Sequence, residues 1–394
     1  VLTYSDCLPL KEIIYQKITD SPEQRITFAE YMELVLYHPQ YGYYNSDRHK
    51  IGAAGDFFTS SSLGGDFGEL LATQLEEMWQ FLGQPADFMV VEMGAGEGLL
   101  ADDILGYLAS KYPDFIASLE YIIVEKSGQL MASQQNLLKK WENKPVKINW
   151  QTWPSIADES IVGCCFSNEL IDAFPVHQVV IKDGNLQEIY LIIKDNQLAE
   201  AIADISTPQL KSYFDLIGIN LLSDIYPEGY RTEVNLAALD WLKEVAAKLK
   251  QGYLLTIDYG YPATKYYHPQ RCQGTLKCYY QHRHHHDPYI NLGYQDITAH
   301  VDFTALERQG ELCRLEKLGF TLQALFLMAL GLGYRLRDLS TSKFTLPEIL
   351  QRRDYLHQLI EPTGLGGFGV LLQGKGLTEV QKKTPLKGLI IPYN

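Results

Sequence analysis

Residues 90–105, VVEMGAGEGLLADDIL, constrain the fold of this chain more than any other stretch. An apolar run, a glycine-rich turn and then apolar residues at helical spacing predict a buried strand, a tight turn and an amphipathic helix. The rhythm recurs. FMVVEM, EYIIVE, VKINW and IVGCCFSNEL are short apolar runs, with helical or turn-rich segments between the early ones. That pattern belongs to a parallel sheet with helices on its faces, so the expected class is α/β and Rossmann-like. Residues 1–85 read as a mostly helical region, where Phe28, Met32 and Val35 lie at helical spacing behind Thr27 as N-cap and His38-Pro39 ends the helix. Residues 86–176 hold the first part of the core. Over 177–230 the rhythm gives way to hairpin character around Asp183-Gly184 and Asp195-Asn196, which predicts a β-rich insertion. The core resumes over 231–394, with FTLQALFL and FGVLLQG as its last strands and a polar, aromatic loop at 259–300.

Composition narrows the function classes. Of 394 residues, 46% are hydrophobic and 21% charged, as in ordinary core-forming proteins. A formal net charge of −14 argues against nucleic acid as the main partner and favours a cationic ligand or substrate. Six cysteines in so long a chain make no disulfide framework, and Cys164 and Cys165 are expected on opposite faces of one strand. The longest apolar stretch, LFLMALGLGY, falls short of the roughly 20 residues that cross a bilayer. With no signal-peptide pattern at the start of the sequence, the expectation is a cytoplasmic protein without membrane insertion.

The turn itself, built of Gly94, Ala95, Gly96 and Gly98, suits a nucleotide-containing cofactor, and Glu125 ends the next strand where an acid accepts bonds from ribose hydroxyls. NAD places a pyrophosphate at such a turn. Glu97 within it and nearby Glu92 oppose that anion, whereas S-adenosylmethionine has no phosphate and carries a sulfonium cation. The methyl donor is the better match. A second acidic step, SNELIDAF, should begin at the carboxyl edge of the sheet with Asn168. If the segment is helical, Glu169 and Asp172 share a face and can bind a guanidinium.

Several stretches together resemble the MidA-like family of class I methyltransferases, relatives of a mitochondrial complex I assembly factor that methylates arginine. They are FAEYMELVLYHPQYGYY, GDFFTS, FGEL, GAGEG, SNELIDAFPVHQ, RTEVNLAALDWL, IDYG and CYYQHRHHHDPYINLGYQDITAHVDFTAL, spread over residues 26–305. The resemblance implies a seven-stranded core with an antiparallel last strand and protein arginine methylation, with a respiratory-complex subunit as client. It implies that Gly94, Gly96 and Gly98 face the methionine part, that Glu125 meets the ribose, and that Asn168 and Glu169 line the methyl-transfer site. Asp56 and Thr59 would close the pocket. Ser61-Ser62 stand where relatives usually carry Pro-Glu.

The histidine-rich CYYQHRHHHDPY lacks a second paired ligand set, so no metal is expected. That loop is expected to meet a protein substrate. His300 and Asp302 are candidates to orient one another or aid proton removal. The hairpin-like insertion is a candidate homodimer contact. Competing readings are a methyltransferase of small molecules, an assembly chaperone that keeps the cofactor pocket, and a nicotinamide enzyme.

Overall fold

The apolar runs assemble into one seven-stranded sheet in a computed structural model that describes residues 6–45, 60–281, 283–339 and 345–390. Its strands are β1 (Phe88–Met93), β2 (Leu119–Val124), β3 (Lys147–Gln151), β4 (Ile161–Asn168), β5 (Leu249–Asp258), β6 (Glu316–Leu322) and β7 (Gly369–Lys375). They lie in the order β3-β2-β1-β4-β5-β7-β6. Strands β1 to β5 pair in parallel, and β7 alone runs against both of its neighbours. Both faces of the sheet are covered, which is why its strands are apolar at nearly every position. Cys164 packs into the cluster on one face and Cys165 into that on the other, as strand alternation requires.

FTLQALFL, expected as a strand, divides instead. β6 stops at Leu322, which pairs with Gly369, the first residue of β7. Beyond that point no ladder partner remains, and Gln323–Leu330 forms a helix.

The N-terminal region does not stand apart from the core. Helix α1 (Phe28–Tyr37) opens with a capping box between Thr27 and Glu30 and ends before His38-Pro39. Helix α2 (Asp66–Phe81) buries Phe67, Leu71, Leu75 and Met78 in the main sheet's core, beside α3 (Leu99–Lys111). Residues after 177 form strands His177–Lys182, Asn185–Lys194 and Gln197–Ala203. The joining turns have φ of +52° and +69° at Asp183-Gly184 and +50° and +60° at Asp195-Asn196, values that fit tight hairpin connections. Arg231–Val234 and the short Ile26–Thr27 complete this second sheet, so the insertion is paired directly to the N-terminal segment. Leu10, Phe28, Tyr31 and Leu36 pack with Leu191, Cys278 and Ile297 beneath it. Among the described residues no helix is long and apolar enough to cross a membrane.

Candidate active site

The chain leaves β1 through Gly94, Gly96 and Gly98, with φ of +71°, +54° and +86°. A Cβ on Gly94 would lie 2.7 Å from Leu170 Cδ1, so this corner needs glycine for space as well as for torsion. Gly98 turns away from the opening and caps the N-terminus of α3. The others face a cavity of about 330 Å³ at the carboxyl edge of the sheet, where ligands of such sheets bind. Glu92, Ala95, Glu97, Glu125, Asn168 and Glu169 line it too, while Tyr37 of α1 and Tyr44 enter from the N-terminal side.

Helix α4 (Gly128–Leu138) supplies a residue the sequence did not single out. The buried Gln134 amide donates to the Gly96 carbonyl at 2.8 Å and to Glu125 Oε2 at 3.2 Å. Its own oxygen accepts from Trp150 Nε1 at 3.0 Å. Glu125 Oε1 also accepts the Ser127 N–H at 2.8 Å. Burial raises the Glu125 carboxyl, and its oxygens keep lone pairs for further donors. Beneath the turn Glu92 is sealed from solvent and accepts the Tyr121 hydroxyl at 2.7 Å. Burial pushes it up to about 7.

At the end of β4 the expected helix face does not form. Glu169 adopts φ of +54°, and the chain then enters a single 3₁₀ turn, Ile171–Ala173. Glu169 therefore lines the cavity, whereas Asp172 is absent from its wall. Glu169 Oε1 accepts the Ser60 N–H at 2.8 Å and the Asn168 amide at 3.0 Å. Burial pushes its carboxyl up to about 7 against those hydrogen bonds. The Asn168 Oδ1 is buried without a partner.

The left-handed step is held by Asp258, also not anticipated. Its Oδ2 accepts the N–H groups of Leu170 (3.2 Å), Ile171 (2.8 Å) and Asp172 (3.4 Å), and its Oδ1 that of Tyr259 (2.7 Å). The signal was an acid at the last position of β5, in IDYG, beside a turn full of unsatisfied donors. Tyr37 adds a clamp from α1 by donating to the Ala173 carbonyl at 2.9 Å. Burial and then the Asp258 charge raise the Asp172 carboxyl well above the usual range.

His300 and Asp302 do not act as the expected pair. Asp302 accepts the Tyr213 hydroxyl at 3.0 Å and caps helix Phe303–Leu312 through the N–H groups of Thr304 and Ala305. His300 instead stacks between Tyr259 and Tyr261 on the wall of another cavity. Asp56 and Thr59 lie outside the described residues.

A five-stranded parallel run closed by a reversed strand, a glycine turn after β1 and acids after β2 and β4 define an S-adenosylmethionine-dependent methyltransferase. Residues 70–321 match the family described as "Putative S-adenosyl-L-methionine-dependent methyltransferase", and the chain belongs to that family. A Burkholderia thailandensis protein crystallised with S-adenosyl-homocysteine is 32% identical, with a TM-score of 0.84 over 97% of this chain and 94% of that one. The Drosophila melanogaster protein arginine methyltransferase NDUFAF7 homolog, mitochondrial, is 28% identical over 86% of this chain and 79% of its own length. The human protein arginine methyltransferase NDUFAF7, mitochondrial, is 28% identical over 88% and 79%. These relatives are mitochondrial by name, which overturns the cytoplasmic location expected from the sequence.

The residues present fit the cofactor. Gly94 and Gly96 present bare backbone to the cavity, and Glu92, Glu97 and Glu125 suit a cation better than a pyrophosphate. Gln134→Ala cuts the tie between the turn and Glu125. It should weaken S-adenosylhomocysteine binding about tenfold, the equivalent of ~1.4 kcal/mol, by calorimetric titration. An unchanged affinity would mean that the turn holds its shape unaided.

Proposed function

We propose that this chain transfers methyl groups from S-adenosylmethionine to an arginine of a protein substrate, and that the client class is a subunit of a respiratory, NADH-dehydrogenase-like complex. The names of the relatives support the arginine, and the family resemblance supports the client class. The observation that carries the reading is the placement of Glu169 on the same cavity wall as the glycine turn, with Asp172 and Asp258 close behind it. Among the described residues no lysine or arginine forms an ion pair with any of these three. A guanidinium entering the site supplies the missing cation and binds a carboxylate through paired hydrogen bonds.

When bound, the cofactor supplies a methyl group on a sulfonium centre. Arginine is a poor nucleophile because its charge is delocalised and its proton tightly held. Glu169 draws that charge toward one edge of the guanidinium and fixes the opposite nitrogen for in-line attack. Asn168 Oδ1 takes a second N–H. The methyl would pass from the sulfonium to that nitrogen with loss of the sulfur–methyl bond, and the proton released from the nitrogen would leave to solvent while Glu169 holds the charge on the far edge.

This role sets a pH dependence. A carboxyl raised to about 7 is protonated below that pH and then no longer pairs with the guanidinium, which stays charged throughout. kcat/KM should fall as pH drops through about 7 and approach a tenfold loss per unit below it. A profile flat from pH 6 to 8 would remove Glu169 from the rate-determining charge.

The direct test is incubation with methyl-labelled S-adenosylmethionine and a lysate lacking the protein, followed by hydrolysis and identification of the labelled amino acid. Methylarginine is expected. Label on another residue overturns the arginine assignment, and no label from a protein that binds S-adenosylhomocysteine favours a cofactor-bearing assembly factor.

A further inference from the structure

Beside the methyl-transfer edge lies a second cavity of about 660 Å³, walled by Tyr259, Tyr261, Arg271, Lys277 and His300 among others. It begins where the first site ends. Tyr259 follows Asp258, and the residue before His300, Ala299, donates its N–H to the Asp172 carbonyl at 2.9 Å. Three cations gather there on aromatic rings. Lys265 sits 4.0 Å and Arg271 4.6 Å from the Tyr261 ring centre, and Lys277 lies 5.2 Å from that of Tyr259.

The carboxylates around them are already engaged. Glu200 is bound by Arg231 at 2.6 Å and by the Tyr289 hydroxyl at 2.7 Å. Glu233 accepts the Thr275 N–H at 2.8 Å, the Thr275 hydroxyl at 3.0 Å and the Tyr266 hydroxyl at 3.4 Å. Asp287 is exposed and accepts the Tyr289 N–H at 2.9 Å. Among the described residues no ion pair holds Lys265, Arg271 or Lys277. Arg271 and Lys277 are only partly exposed, so solvent screens them less than ordinary surface charges. Burial, and then the charges of Lys277, Arg271 and Lys265, push the His300 imidazole down to about 3, which keeps it neutral and able to donate.

We infer that this cavity is a substrate subsite that grips the carboxylate of an acidic residue lying within a few residues of the target arginine, through the Arg271 guanidinium and the Lys277 ammonium. The inference rests on the arginine reading above. Two adjoining sites of opposite sign then read one peptide: the acids at β4 take the cation and the second cavity takes the anion. A carboxylate matches the planar guanidinium fork, and Asp287 on the same wall opposes a dianion more strongly than a single charge.

The test uses fluorescent peptide pools centred on arginine, with either Glu or Gln at the flanking positions, and fluorescence anisotropy on the full chain saturated with S-adenosylhomocysteine. The Glu pool should bind about tenfold more tightly than the Gln pool. In the double variant Arg271→Met, Lys277→Met the two pools should agree within about twofold, with S-adenosylhomocysteine affinity and melting temperature retained as the check on folding. Equal binding of both pools to the unaltered protein, or a preference that survives both substitutions, overturns the proposal. A phosphoserine pool that outbinds the Glu pool also overturns it, in favour of a phosphate site. An arginine-free Glu pool that binds just as tightly, and loses its binding in the double variant, supports the anion site while sinking the arginine reading.

Discussion

Glu169→Gln is expected to lower kcat for methyl transfer by about 10²- to 10³-fold, while changing S-adenosylhomocysteine affinity by less than about threefold. Glutamine keeps the length of the side chain and one oxygen for the Ser60 N–H and the Asn168 amide. What it loses is the negative charge that would polarise a guanidinium. Single-turnover transfer to a peptide substrate, beside calorimetric binding of the product, separates the two effects. Equal loss of both would make Glu169 a structural support of the pocket rather than a catalytic residue.

Asp258→Ala should cost about 3 kcal/mol in denaturant unfolding, because four backbone N–H groups lose one shared acceptor in a buried setting. The expected loss stays below the sum of four hydrogen bonds, since burial of the carboxylate itself opposes folding and pushes Asp258 up to about 6. Activity should fall further than stability explains. The turn at Leu170–Asp172 aims Glu169, and a misplacement of about 1 Å can cost roughly 10²-fold in rate. Asp258→Asn restores shape but turns an N–H₂ toward at least one of the donors, so partial recovery is expected. Full activity in Asp258→Ala would show that Glu169 is aimed by Ser60 and β4 alone.

Much of this architecture was legible because its signals are local. The strands of the parallel run announce themselves as apolar stretches, the glycine turn by its spacing, and the two hairpins by Asp183-Gly184 and Asp195-Asn196, whose positive φ values suit those residues. The acids around the turn after β4 were harder. Glu169 and Asp172 look like helix neighbours in the sequence, and only Asp258, more than eighty residues away, converts that segment into a left-handed step and a short turn. Gln134 was missed for the same reason, since nothing in its helix reveals that its amide faces Gly96 and Glu125. His300 and Asp302 lie two apart in the sequence, yet each has its own partners, one among tyrosines and one at a helix cap.

Glu92 and Glu169 both hold carboxyls raised to about 7, one under the glycine turn and one after the end of β4. Methyl transfer turns a cationic donor into a neutral thioether, so each turnover removes one positive charge from between them. A proton taken up from solvent can replace it. Acidification is therefore expected to weaken the pocket's preference for the charged, methyl-bearing ligand over the spent one.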